Sequence, residues 1–160
     1  MKNRLLTSVM LGAMLCSCDP GSTTTVYVEN DTDQEVTFKA FGNQSNPNQD
    51  GHVIFEELTI GPHARAVVGT YYGIWECNPG DASSLFEWRT DSICIGFADC
   101  SISFYRDSTD VQQHSPYYYE SFHLENYEKG WDYYSADAVY VITDEDYKNA
   151  KQADVSSSLP

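Results

Sequence analysis

From residue 23 onward, apolar and polar positions alternate in short runs with a period of two, the signature of half-buried strands. In "TTTVYVEN" (Thr23 to Asn30), Val26 and Val28 point to one side, Tyr27 and Glu29 to the other. In "QEVTFKAF" (Gln34 to Phe41), Val36, Phe38 and Ala40 share a face. Between the two runs lies "NDTD" (Asn30 to Asp33), which is turn chemistry, so the pair predicts a β-hairpin. A polar loop follows from Gly42 to Gly51. In "HVIFEELTI", Val53 and Phe55 fall on one parity, Leu58 and Ile60 on the other; a bulge near Glu56 and Glu57 would reconcile them. "GPH" (Gly61 to His63) turns the chain into a further strand, "ARAVVGTYY".

Residues 73 to 91 carry a turn at Asn78-Pro79-Gly80-Asp81 and two candidate core anchors, Trp75 and Trp88. "SICIGF" and "SISFYR" flank Ala98-Asp99, and a two-residue turn there sets Ile93 opposite Phe104, Ile95 opposite Ile102 and Phe97 opposite Cys100, all on one face. A loop one residue longer would put Ile102 and Phe104 on the wrong side, so the pattern selects the tight turn. Residues 107 to 136 are aromatic and polar without a clear period, and "DAVYVIT" returns as a strand. "TDEDYKNAK" reads as a short C-terminal helix with Thr143 as N-cap, acids in its first turn, and Lys148 and Lys151 further along. "ADVSSSLP" (residues 153–160) reads as a disordered tail. About seven short strands and no extended helical stripe in the body predict an all-β fold, an antiparallel β-sandwich with a short C-terminal helix.

The first residues follow another pattern. Lys2 and Arg4 precede Leu5 to Leu15, an uncharged run too short to span a bilayer as a helix. A basic segment before a short apolar one is the secretory signal pattern. The run ends in Leu15-Cys16-Ser17-Cys18, which resembles the bacterial lipobox. Leu15, Ser17 and Cys18 fit its aliphatic −3, small −1 and cysteine positions. The resemblance implies cleavage before Cys18 and lipidation, including palmitate, on Cys18. The resulting partition is signal peptide 1–17, tether 18–23, sandwich 24–152 and tail 153–160.

Four further pieces accompany the lipobox: the early strand ending in "EN-DTD", "LTIGPHARAVV", "ICIGFADCSISFY" and the ending "YVITDEDYKNA". Together they resemble the small immunoglobulin-like lipoproteins of unknown function common in Bacteroidetes. That resemblance implies an immunoglobulin-like sandwich and a place in the bacterial cell envelope, lipid-anchored, at the periplasmic face of the outer membrane or the cell surface.

Charge and chemistry narrow the function. The chain of 160 residues has 24 Asp and Glu against nine Lys and Arg, a net charge of −15, and removal of Lys2 and Arg4 with the leader makes it more acidic. Such a surface repels phosphate backbones, which excludes nucleic-acid binding. Membrane attachment must come from lipid on Cys18 rather than from a basic patch. Cys77, Cys94 and Cys100 remain after cleavage; Cys77 is the better partner for either of the others in a disulfide, and three half-buried thiols are the alternative. No spacing supports a zinc site or any other cofactor. His52, His63, His114 and His123 match no nucleophile pattern. "DTDQE" (Asp31 to Glu35) alternates acids as calcium loops do, but lacks their glycine and distal Glu.

The tract from His114 to Tyr140 holds seven of the twelve tyrosines and Trp131. Trp131, Tyr133 and Tyr134, beside Gly130, are candidate ligand contacts, because aromatic rings stack on sugar faces and anchor protein interfaces. The reading is a non-enzymatic binding or assembly module whose partner is a glycan or another envelope protein. The alternatives are a small glycan hydrolase using a carboxylate pair drawn from Glu56, Glu57, Glu120, Glu125 and Glu128, or a purely structural envelope protein.

Overall fold

The computed structural model describes residues 20–42, 57–87, 89–108 and 114–157. Among these residues, eight strands form two four-stranded sheets packed face to face, an all-β sandwich. Sheet A has the order β4-β1-β8-β7, built from β4 (Ala64–Ile74), β1 (Gly21–Asn30), β8 (Tyr133–Ile142) and β7 (Phe122–Lys129). Sheet B has the order β3-β2-β5-β6, from β3 (Leu58–Ile60), β2 (Val36–Gly42), β5 (Thr90–Gly96) and β6 (Ser101–Tyr105). All pairings are antiparallel except β1 with β8, which run parallel through the middle of sheet A.

The alternation along β1 and β2 is realised: Val26, Val28, Val36, Phe38 and Ala40 are fully buried. The hairpin between them is not. β1 pairs with β4 and β8, whereas β2 pairs with β3 and β5, so "NDTD" carries the chain from one sheet to the other. Asn30 is the reason. Its fully buried amide donates to the carbonyls of Gln34 (2.7 Å), Ile60 (3.1 Å) and Gly61 (2.9 Å). Its oxygen accepts from the Thr32 amide (3.1 Å) and hydroxyl (2.7 Å). One side chain thus ties the β1–β2 crossover to the β3–β4 turn, satisfying backbone groups that a sheet-changing loop leaves without ladder partners.

The β5–β6 hairpin matches the parity argument: Ile93 opposes Phe104, Ile95 opposes Ile102, and the Phe97 amide bonds the Cys100 carbonyl at 2.8 Å. β4 bulges at Val68, because Val26 opposes Gly69 while Tyr27 opposes Val67. The bulge expected near Glu56 and the strand before it lie outside the described residues, as do Trp88 and most of the polar loop after Gly42.

Among the described residues, two helices complete the sandwich. The turn at Asn78 is the start of α1 (Pro79–Glu87), which the sequence reading missed. Asp81 Oδ2 accepts from the Asn78 amide at 3.0 Å, and Pro79 occupies the first helical position. Ala82, Leu85 and Phe86, at helical spacing, bury one face of α1. Phe86 enters the core between Phe38 of sheet B (6.0 Å, edge to face) and Phe122 of sheet A (6.1 Å), and Phe122 meets Tyr140 at 5.7 Å. Aromatic pairs at these separations add to the area they bury.

The C-terminal helix α2 (Asp144–Ser157) begins where predicted and continues to Ser157, five residues into the expected tail. Tyr147 packs on Phe97 at 5.3 Å and Lys151 pairs with Asp99 at 2.6 Å, docking α2 on the tip of the β5–β6 hairpin. The stretch 107 to 136, expected to lack pattern, contains a 3-10 turn (Tyr119–Ser121), all of β7 and the start of β8. β1 begins at Gly21, within the stretch expected as a tether.

Candidate functional site

Three places bear on function: the end of sheet A where β1 begins, a histidine-carboxylate pair at the start of α2, and the scattered acids. Cys18 lies outside the described residues. From Pro20 onward the chain is held in place. Trp75 donates its amide to the Pro20 carbonyl at 2.9 Å, and Gly21 donates its own to the Asp132 carbonyl at 3.2 Å. Pro20 and Gly21 are thereby held between the segment after β4, which carries Trp75, and the β7–β8 turn, which carries Trp131.

Register assigns faces at this end. Inward positions of β1 are Ser22, Thr24, Val26, Val28 and Asn30, so Gly21 and Thr23 point outward. Ile74 and Tyr133 flank Gly21 in one outward row, and Tyr72 and Ser135 flank Thr23 in the next. Ile74 is 63% exposed, Tyr133 49% and Tyr72 77%. Trp75, a candidate core anchor, is instead 59% exposed, with φ at +77°. Trp131 is 97% exposed.

The candidate ligand platform therefore divides. Tyr133 belongs to the outer side, and Trp131, in the β7–β8 turn, is almost wholly exposed. Tyr134 shares the inward row of Ser22, with Tyr127 at 6.4 Å and the Lys129 ammonium 5.2 Å above its ring. Neighbouring strand residues point to opposite faces, so these three rings cannot present one plane. Tyr133 instead lies over Gly130, its ring occupying the space a Cβ at 130 would take. Tyr127 donates to Glu76 Oε1 at 2.8 Å; partial desolvation and that carboxylate push its phenol up to about 12.

Further along the outer face, a polar strap crosses all four strands. Arg65 of β4 lies 4.7 Å over the Tyr27 ring of β1 and pairs with Glu125 of β7 at 3.1 Å, and His123 bonds the same carboxylate at 3.0 Å. Val139 of β8, between Tyr27 and His123 in register, is fully buried although it faces outward.

Sequence reasoning missed a pairing of His114 with Asp146. Nδ1 of His114 stands 2.9 and 3.2 Å from the two carboxylate oxygens, and the ring stacks on Tyr140 at 4.8 Å. The residues are 32 positions apart, so no local motif announces them. A shallow cavity of about 360 Å³ lies over the pair, lined also by Thr143, Glu145 and Asn149. A supported imidazole resembles a general base. Here, however, Asp146 also accepts from the Thr143 amide (2.7 Å) and hydroxyl (2.9 Å), and Tyr140 donates to the His114 carbonyl (2.8 Å). Each contact fastens the 114–118 segment or caps α2.

Glu57 pairs with Lys39 beside sheet B, whereas Glu125 belongs to sheet A. Hydrogen bonds from His123 and then Arg65 hold the Glu125 carboxyl below its ordinary range, the wrong direction for a glycosidase acid. Asp99 and Asp107 are displaced downward too, by Lys151 and Arg106 respectively. Asp31 and Asp33 turn their oxygens to His63 at 3.5 and 3.0 Å. Among the described residues, no group of three or more His, Cys, Asp or Glu is arranged to hold a metal ion. No disulfide joins Cys77, Cys94 and Cys100 to one another.

Among the described residues, fold and surface together define a β-sandwich of eight strands and two helices with an exposed aromatic end. No family model, curated protein or solved structure matches the chain.

Proposed function

We propose that this chain is a lipid-anchored protein of the bacterial cell envelope, tethered through acyl chains on Cys18. There it works without catalysis as a binding or assembly module for a glycan or another envelope protein, at the periplasmic face of the outer membrane or at the cell surface. One observation carries the anchor: the lipobox cysteine stands three residues before Gly21, the first residue of a central strand. A lipid there holds the folded domain directly against a bilayer, and two or three acyl chains make that attachment durable.

The non-catalytic half draws support from the side chains that could have done chemistry. His114 and Asp146 are spent on joining segments, and Glu125 is ionised within the polar strap. The test has two arms. Replacing Cys18→Ala should abolish incorporation of labelled palmitate and move the protein from the membrane to the soluble fraction; retention in the membrane overturns the anchor. Incubating the soluble variant with cell-wall and capsular glycans should release no new reducing ends. Their release would establish the hydrolase reading instead.

A further inference from the structure

We infer that the bilayer interface itself is the partner of the aromatic end of sheet A, so that the anchored domain docks on the membrane through Tyr72, Ile74, Trp75, Trp131 and Tyr133. The inference rests on the reading of Cys18 as the lipidated residue and names what the neighbouring surface meets. Three residues of extended chain reach about 10 Å, so a lipid on Cys18 keeps Gly21 within that distance of the headgroups. Pro20 bonds the amide of Trp75, and Gly21 bonds the carbonyl of Asp132, next to Trp131. These two Trp side chains must therefore stand beside the point where the chain meets the membrane.

The residue types suit that position. Trp and Tyr concentrate at membrane interfaces, where an apolar ring and a polar N–H or O–H are both satisfied. Four such rings and Ile74 are substantially exposed here, on both sides of the chain entry. Trp75 is exposed at a left-handed φ, which a Trp adopts at a cost in folding energy that burial in the core does not return. The contact must be apolar, because the nearby charges are mostly acidic, with Glu76, Glu128 and Asp132 against Lys129. Docking is accordingly expected to survive high salt. A glycan partner would then meet faces turned away from the bilayer.

The test uses the full lipidated chain reconstituted into phosphatidylethanolamine–phosphatidylglycerol vesicles, with and without brominated acyl chains. Flotation reports the anchor and tryptophan quenching reports docking. The expected result is a chain that floats and loses emission to brominated lipid at both low and high salt. The quenchable emission should disappear in the Trp75→Phe/Trp131→Phe double variant, which still floats and melts as the parent does. A chain that floats but keeps its emission overturns docking and leaves the anchor standing. A chain that does not float overturns both. Rings that stay open to aqueous iodide and become shielded by added glycan make the surface a sugar platform, which also overturns the inference.

Discussion

Asn30 is the residue on which the path of the chain between the sheets depends. Its side chain is fully buried and makes five hydrogen bonds to four residues. Replacing Asn30→Ala leaves three carbonyls and the Thr32 groups to find other partners. At roughly 1 kcal/mol net for each lost bond, less what entering water returns, the expected cost is about 3–5 kcal/mol. Asn30→Asp is the sharper variant, since it keeps the shape and replaces the donating nitrogen by an oxygen facing carbonyl oxygens. The charged form is then disfavoured in the folded state, and the introduced carboxyl has a folded pKa above its unfolded value of about 3.9. A raised pKa means that the folded state binds the proton more tightly. Relative to the parent, the variant must therefore lose stability as pH rises from about 4 toward its folded pKa, by about 1.4 kcal/mol for each unit of displacement. Urea melts followed by fluorescence and circular dichroism at pH 4.5 and 7, in the soluble Cys18→Ala background, measure both effects. An Asn30→Ala cost under about 1 kcal/mol, or an Asn30→Asp deficit that does not widen with pH, would refute the reasoning.

Phe86→Ala removes the ring joining Phe38 to Phe122, and a urea melt should show a loss of about 3–5 kcal/mol. Trp75→Gly relieves the left-handed backbone and should be neutral or stabilising by up to about 1 kcal/mol, while weakening vesicle docking. Gly130→Ala should destabilise the β7–β8 hairpin and displace Tyr133, visible in the Tyr133 ring resonances; an unchanged spectrum refutes the ring placement. His63 should titrate above 6.5, raised mainly by its hydrogen bond to Asp33, so its contribution is complete below 6.5 and lost as pH rises through the folded value. Asp33→Asn should bring that NMR titration back toward 6.5.

Alternation along single strands and the β5–β6 register were legible in the sequence, because period-two burial over a two-residue loop allows one arrangement. The capped start of α2 was legible for a similar reason, since capping acts within one turn. Local information also existed for α1, where Asn78, Pro79 and Asp81 precede Ala82, Leu85 and Phe86. Reading Asn78 to Asp81 only as a turn concealed it. The same applies to Tyr133 and Tyr134: once they belong to a strand, adjacent positions must part to opposite faces.

What the sequence by itself determined was the alternating strands and the acidic charge. Only the tertiary structure decided which strands meet. β1 lies parallel to a strand more than a hundred residues away, and no turn chemistry between Asn30 and Val36 could reveal that β2 belongs to the other sheet. Pairings at such separation depend on which faces can be buried together, a property of the whole core rather than of any segment. The same long-range pairing gathers Trp75, Tyr133 and Trp131 around Gly21 and brings His114 to Asp146.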